Sequence, residues 1–293
     1  MTEPSEPATR APGLPSDARD PRPTAERDRR IGTVDLTVWR TPVGRSVAVA
    51  AHRLGDRFGA WPVLGLTLAI GMVLASVFAW LASEVYEAVL ERGDVAVLDR
   101  PVLEAVLPLR SPALDAAVTG WTDVGGTIGM PIVAVVFLVV LTVRRRSWTP
   151  IVLLVPAAAG SLLMTVAGKQ LVGRTRPPHA DAVPPYEHSP SFPSGHTLNA
   201  TVIAGTLVYL LLLRQSTVVA RVLTIAGGTV FIVSIGLSRV FLGHHWLTDV
   251  LAAWVLGLAW LSLVVTAHRL FLTVVRHRHA GGDVDGQRPA TSG

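Results

Sequence analysis

Long apolar stretches alternate with short arginine-bearing ones along most of the chain, and the apolar stretches set its architecture. Six of them are long enough to cross a bilayer, which takes about 20 residues of helix. They are Trp61–Ala82, Val124–Val143, Pro150–Gly168, Thr197–Leu213, Val222–Phe241 and Leu247–Ala267. One such run alone would suit a buried helix of a soluble protein. Six in succession predict an all-α integral membrane protein, a bundle of six transmembrane helices. Gly71, Gly205 and Gly257 fall inside these runs and are expected where helices pack closely. The segment Ser83–Asp123 is polar and acidic, and its spacing predicts short amphipathic helices resting on the outer membrane face.

The ends read differently. Up to Gly32 there is no sustained apolar period, and Pro, Arg, Asp and Glu are frequent. Residues 1–57 are expected to be a disordered or surface-lying tail, with a short amphipathic helix around Val43–Phe58 on the membrane surface. Residues 58–272 are expected to form the membrane domain, and 273–293 a second disordered tail.

Composition agrees with a membrane chain: 50% of residues are hydrophobic and 16% charged. The net charge is +5, yet the arginines sit in tails and short loops, with no basic stripe of the kind that binds nucleic acid. Their placement gives an orientation instead. The N-terminal tail, Arg144–Arg146, Arg214 with Arg221, and Arg269 with Arg276 and Arg278 fall on one side, expected to be cytoplasmic, so both termini lie inside. Lys169, Arg174, Arg176 and Arg239 fall on the outer side, against that rule, which points to a role other than topology. There is no cysteine, which excludes thiolate chemistry and disulfides.

The chemistry-bearing residues lie in three short stretches at that outer face: Lys169-x6-Arg176-Pro177, Pro193-Ser194-Gly195-His196, and Ser238-Arg239-x5-His245-x3-Asp249. A phosphate ester repels nucleophiles, so its reaction needs fixed positive charge, a placed nucleophile and an acid for the leaving oxygen. Lys169, the only lysine in the chain, with Arg176 and Arg239 would supply the charge. Ser194 and Gly195 open an apolar run, where a helix start points N–H groups at an anion, and Ser194 would both cap the helix and donate to phosphate. His245 and Asp249 stand one helical turn apart, so Asp249 would hold one ring nitrogen protonated and leave the other as a nucleophile. His244 is offset by about 100° of helix rotation and is expected to be a supporting residue. Two bland readings stand beside these. The cations could simply pair with Asp181 or Glu187, and His196, His244, His245 and Asp249 could hold a metal, though with few carboxylates for a hydrolytic site.

The full set of three motifs resembles the type 2 phosphatidic acid phosphatase (PAP2) superfamily, position for position, over roughly Trp61 to Leu272. The resemblance implies a metal-independent, cofactor-free phosphatase acting on a lipid phosphate. His245 would form a phosphohistidine, His196 would protonate the leaving group, and water would then release phosphate. It leaves undecaprenyl diphosphate, phosphatidic acid and phosphatidylglycerol phosphate as substrates, with the outer-face site favouring the polyprenyl carrier. It also leaves two alternatives: a phosphotransferase using the same site, and a non-catalytic lipid-phosphate binding or transport protein.

Overall fold

The computed structural model describes residues 22–73 and 96–285. A short helix α1 (Arg22–Arg27) leads into an antiparallel hairpin, β1 (Arg30–Ile31) and β2 (Val34–Asp35), with Arg30 opposite Asp35. Helices α2 (Pro42–Phe58) and α3 (Ala60–Val73) follow. From residue 96 onward come α4 (Asp99–Val106), α5 (Pro112–Val124), α6 (Gly129–Arg145), α7 (Thr149–Val172), α8 (Gly195–Leu212), α9 (Val218–Phe241) and α10 (Leu247–Asp285). Local signals set the starts. Thr41, Ser111 and Thr217 each accept a backbone N–H of the first turn of α2, α5 and α9, and Pro42 and Pro112 open the first two of these.

Helices α7, α8, α9 and the stretch Leu247–His277 of α10 are long and apolar enough to cross a membrane; α5 with α6, bent by 45°, makes a fifth if the pair is one span. The protein is therefore a multi-pass membrane protein. The run expected at Trp61–Ala82 is seen as α3 through Val73, and its remainder lies outside the described residues. The run expected at Val124–Val143 is displaced. Val124 closes α5, and the chain bends before restarting at Gly129. The bend presses on α9 closely enough that a Cβ on Gly125 would lie 2.7 Å from Ile235 Cγ2.

Three helices, α7, α8 and α10, converge on Trp260. Its indole is fully buried, donates to Ala157 O at 3.1 Å, and lies over Gly160. Leu153, Met164, Leu198, Val202, Leu210 and Val264 complete this core. Close helix approach recurs at Gly205 and Gly257, where an added Cβ would come within 2.5 Å of Leu261 and 2.7 Å of Thr201. The outward faces are apolar: Val135, Val136, Val139 and Val143 of α6 and Val222, Leu223 and Val230 of α9 are exposed, as a bilayer-facing surface requires. Within α8, Ala200–Ala204 form a π-helical turn one turn beyond His196.

The segment expected as an N-terminal tail is folded from Arg22 onward. Its helix α2 packs on α10 through Ala51, Leu270 and Val274, with Gly55 against Val274. Arg269 stacks over Trp39 at 4.2 Å and donates to Leu36 O at 2.8 Å, and buried Asp28 pairs with Arg214 at 2.8 Å. These ties are polar and join residues more than 180 positions apart, so no apolar period announces them. At the other end α10 runs on as helix to Asp285, beyond the expected boundary at residue 272.

Candidate active site

The three motifs meet at one end of the bundle. Lys169 lies in the last turn of α7, Ser194 to His196 at the start of α8, Arg239 in the last turn of α9, and His245 in the turn before α10. The connection from Gly173 to Ser194 folds back over them. Gly173 ends α7 with φ 60° and its N–H returns to Lys169 O. Between α9 and α10 the chain reverses at Gly243, φ 71°, where a Cβ would run into Asp181 O.

Asp249 is wholly buried and heavily used. Its Oδ1 accepts from Arg174 at 2.5 Å, and its Oδ2 accepts from Ser191 Oγ at 2.5 Å and from Trp246 N–H at 3.0 Å. The last bond is half of a capping box, since Asp249 is the third residue of α10 and reaches back to the residue before its start. His245 Nδ1 is 3.4 Å from both Asp249 Oδ2 and Ser191 Oγ, and Nε2 is 3.2 Å from Arg176 Nη1. Asp249 thus favours the tautomer with the proton on Nδ1 and leaves the Nε2 lone pair facing the cations. Burial pushes the His245 ring down to about 4, against the pull of Asp249 and aided by Arg239 and Arg176, so it is neutral near pH 7.

Arg176 and Lys169 share one short stretch of loop. Arg176 donates to Ser189 O at 2.7 Å, to His244 O at 2.5 Å, and to Ser189 Oγ at 3.2 Å. Lys169 Nζ donates to Ser189 Oγ at 3.1 Å and to Pro190 O. Both Arg176, at 2.7 Å, and Arg239 form ion pairs with Glu187. Of the two bland pairings, the one with Glu187 is therefore present. Burial would raise the Glu187 carboxyl, but Arg239 and Arg176 overcome it and hold it at about 2, so it is an anion.

The motif residues differ in how open they are. His196 is half-buried, beside Gly126 of the α5–α6 bend, and its ring has no hydrogen-bond partner among the described residues. Ser194 stands at the cap position of α8, but its Oγ pairs with Thr197 Oγ1 at 2.9 Å and caps no backbone N–H, unlike the expectation. Gly195 lets α8 begin close to α7, with Thr165 Cγ2 3.2 Å from where a Cβ would stand. His244 turns away, its Nε2 at 2.7 Å from Val183 O, and so braces the overlying loop. No group of three or more His, Asp or Glu placed to hold a metal occurs among the described residues.

Four contributors were given no role from the sequence. Arg174 links Asp249 to Asp99 at 2.6 Å, and Asp99 also accepts Thr248 N–H at 2.9 Å and Thr248 Oγ1 at 2.7 Å. Ser191 holds Asp249 as described. Arg110 bridges Phe241 O and Asp181 O, at 2.7 Å each, tying the reversal at Gly243 to the loop. Ser191 and Arg174 lie beside motif positions, which is a usable signal; Asp99 and Arg110 carry none, because they arrive from a distant acidic segment.

Residues 149–271 match the PAP2 superfamily. The chain is 33% identical over 180 residues to phosphatidylglycerophosphatase B of Bacillus subtilis (strain 168), covering 60% of this chain and 86% of that relative. Among solved structures it resembles the crystal structure of a transmembrane PAP2-type phosphatidylglycerolphosphate phosphatase from Bacillus subtilis, with a TM-score of 0.58 at 26% identity. That alignment covers 73% of this chain and 98% of the other.

Proposed function

The chain belongs to the PAP2 superfamily, and from that premise we propose that it is a membrane lipid phosphatase that hydrolyses a terminal phosphate through a phosphohistidine. The observation that carries the reading is the neutral, buried His245, with Asp249 behind one ring nitrogen and Arg176 beside the other. In this mechanism Nε2 attacks phosphorus and the bond to the leaving oxygen breaks. Arg176, Arg239 and Lys169 stabilise the charge on the equatorial oxygens. His196, half-buried at the edge of the site, gives its proton to the departing alkoxide or phosphate. Water then attacks the phosphohistidine, and orthophosphate leaves. Ser194 and Gly195 would contribute donors from the start of α8 once a phosphate draws the Ser194 hydroxyl from Thr197.

The substrate we favour is phosphatidylglycerol phosphate, supported by the activity named in the Bacillus subtilis matches; undecaprenyl diphosphate and phosphatidic acid are the competing arms. We further propose residues 58–272 as the catalytic domain, in the cell membrane with the site outside and both termini cytoplasmic, supported by the distribution of arginines.

The test is release of phosphate by the purified protein from vesicles carrying each of the three lipids, with and without excess EDTA. Hydrolysis of at least one, unaffected by EDTA and blocked by vanadate, is expected. Loss of activity on chelation, restored by one added metal, would overturn the metal-independent mechanism. No hydrolysis of any of the three would overturn the function.

A further inference from the structure

The place where a phosphate must bind is already filled by one of the chain's own side chains. Glu187 joins Arg176, at 2.7 Å, to Arg239, and it lies close enough to His245 and His196 to interact with both. A carboxylate between two guanidinia, one of them 3.2 Å from His245 Nε2, stands where phosphoryl oxygens would sit. Arg239 is only 2% exposed, so without Glu187 a buried charge would lose its partner. A phosphate and a carboxylate cannot share that position, because like charges in a partly desolvated site repel strongly.

We propose that Glu187 is a built-in counter-ion that closes the phosphate subsite in the empty protein, is displaced by the incoming phosphate, and returns to expel orthophosphate after turnover. The inference rests on the phosphatase reading above. The local structure allows the movement. The loop is held at Val183, whose N–H reaches Leu242 O at 2.9 Å, and at Ser191, whose N–H reaches Arg174 O at 2.8 Å. Among the described residues no backbone hydrogen bond ties residues 184–188 between those anchors. The Glu187 side chain is 29% exposed, so a change of rotamer takes it to water while both anchors stay in place.

The charge, and not the bulk, of Glu187 is the competitor, so E187Q is the informative variant. Two quantities are read on the full chain in detergent: the calorimetric affinity for vanadate, and the inhibition constant of orthophosphate with the dephosphorylated lipid followed by chromatography. E187Q is expected to bind both anions roughly tenfold more tightly than wild type, a 1.4 kcal/mol change. Unchanged or weaker binding overturns the proposal and makes Glu187 a brace. If E187Q is too unstable to purify in plain buffer, vanadate in that buffer must rescue it, and failure to rescue is equally fatal. Vanadate binding needs no turnover, which separates the two ideas. A wild type that hydrolyses no lipid phosphate sinks the function alone, whereas an active wild type with no tightening in E187Q sinks the counter-ion alone.

Discussion

Replacing Asp249 by Asn separates the two duties of that side chain, holding Arg174 and orienting His245. The amide keeps the shape and one acceptor oxygen, but it removes the negative charge and adds an N–H₂ where Ser191 and Trp246 already donate. Breaking one side of a buried ion pair costs about 3–5 kcal/mol. Arg174 keeps Asp99 at 2.6 Å, so we expect the low end, about 3 kcal/mol, seen as a lower midpoint of thermal denaturation in detergent. For catalysis the attacking nitrogen stays while the proton on Nδ1 loses its acceptor. The same exchange in a Ser-His-Asp triad lowers kcat about 10⁴-fold. The His245–Asp249 separation of 3.4 Å is longer than a good hydrogen bond, so the loss expected here is smaller, about 10²–10³-fold, with KM little changed. The assay is kcat and KM on a purified lipid phosphate beside the melting curve of the same sample. A D249N protein with kcat within threefold of wild type would show that Asp249 only holds the scaffold. A loss as complete as that of H245A would show that it does more than orient the ring.

His245→Ala is expected to abolish turnover and any acid-labile phosphoenzyme, whereas His244→Ala, which frees Val183 O but keeps the backbone carbonyl that accepts from Arg176, should retain a large part of it; a phosphoenzyme persisting in H245A would refute the assignment. Because burial depresses the His245 ring to about 4, ring ¹⁵N shifts of the empty protein should report a neutral imidazole at pH 6, and a charged ring there would contradict the geometry. The sign for stability follows: the unfolded ring, near 6.5, takes up a proton that the folded one refuses, so this group's contribution falls as pH drops from about 6.5 to 4. With no native thiol, Tyr186→Cys, exposed beside the site, should react with an impermeant maleimide in intact cells, and Trp148→Cys, exposed at the opposite end, only after permeabilisation; the reverse pattern would put the site in the cytoplasm.

Short spacings grouped side chains that the fold also groups. Lys169 and Arg176, Ser194 to His196, and Arg239, His245 and Asp249 are each close in sequence, and the helices that carry them bring the three groups to a common end. The spans Pro150–Gly168 and Leu247–Ala267 were legible as unbroken apolar runs. The bend at Gly125 was not, because it depends on how α9 lies beneath it. Helix α2 was legible as the amphipathic helix expected around Val43–Phe58, but the packing of the residues before it was hidden, since Asp28 meets Thr149 and Arg214, and Trp39 and Thr37 reach α10, far along the chain. Glu187 was legible as a partner for cations, but its place between Arg176 and Arg239 follows from the loop's path and not from any spacing.

Three consecutive residues, Ser189, Pro190 and Ser191, serve as the ruler against which the site is measured. Arg176 and Lys169 are set by the first two, and Asp249 and His245 lie against the third. An inserted or deleted residue between Ser189 and Ser191 would put several of these out of register at once, whereas at the tip, residues 184–188, Glu187 alone is tied to site groups, through its ion pairs with Arg176 and Arg239. Composition at the other tip positions is therefore free to drift. A descendant of this protein could acquire a taste for a different lipid head group there while its hydrolytic parts stayed untouched.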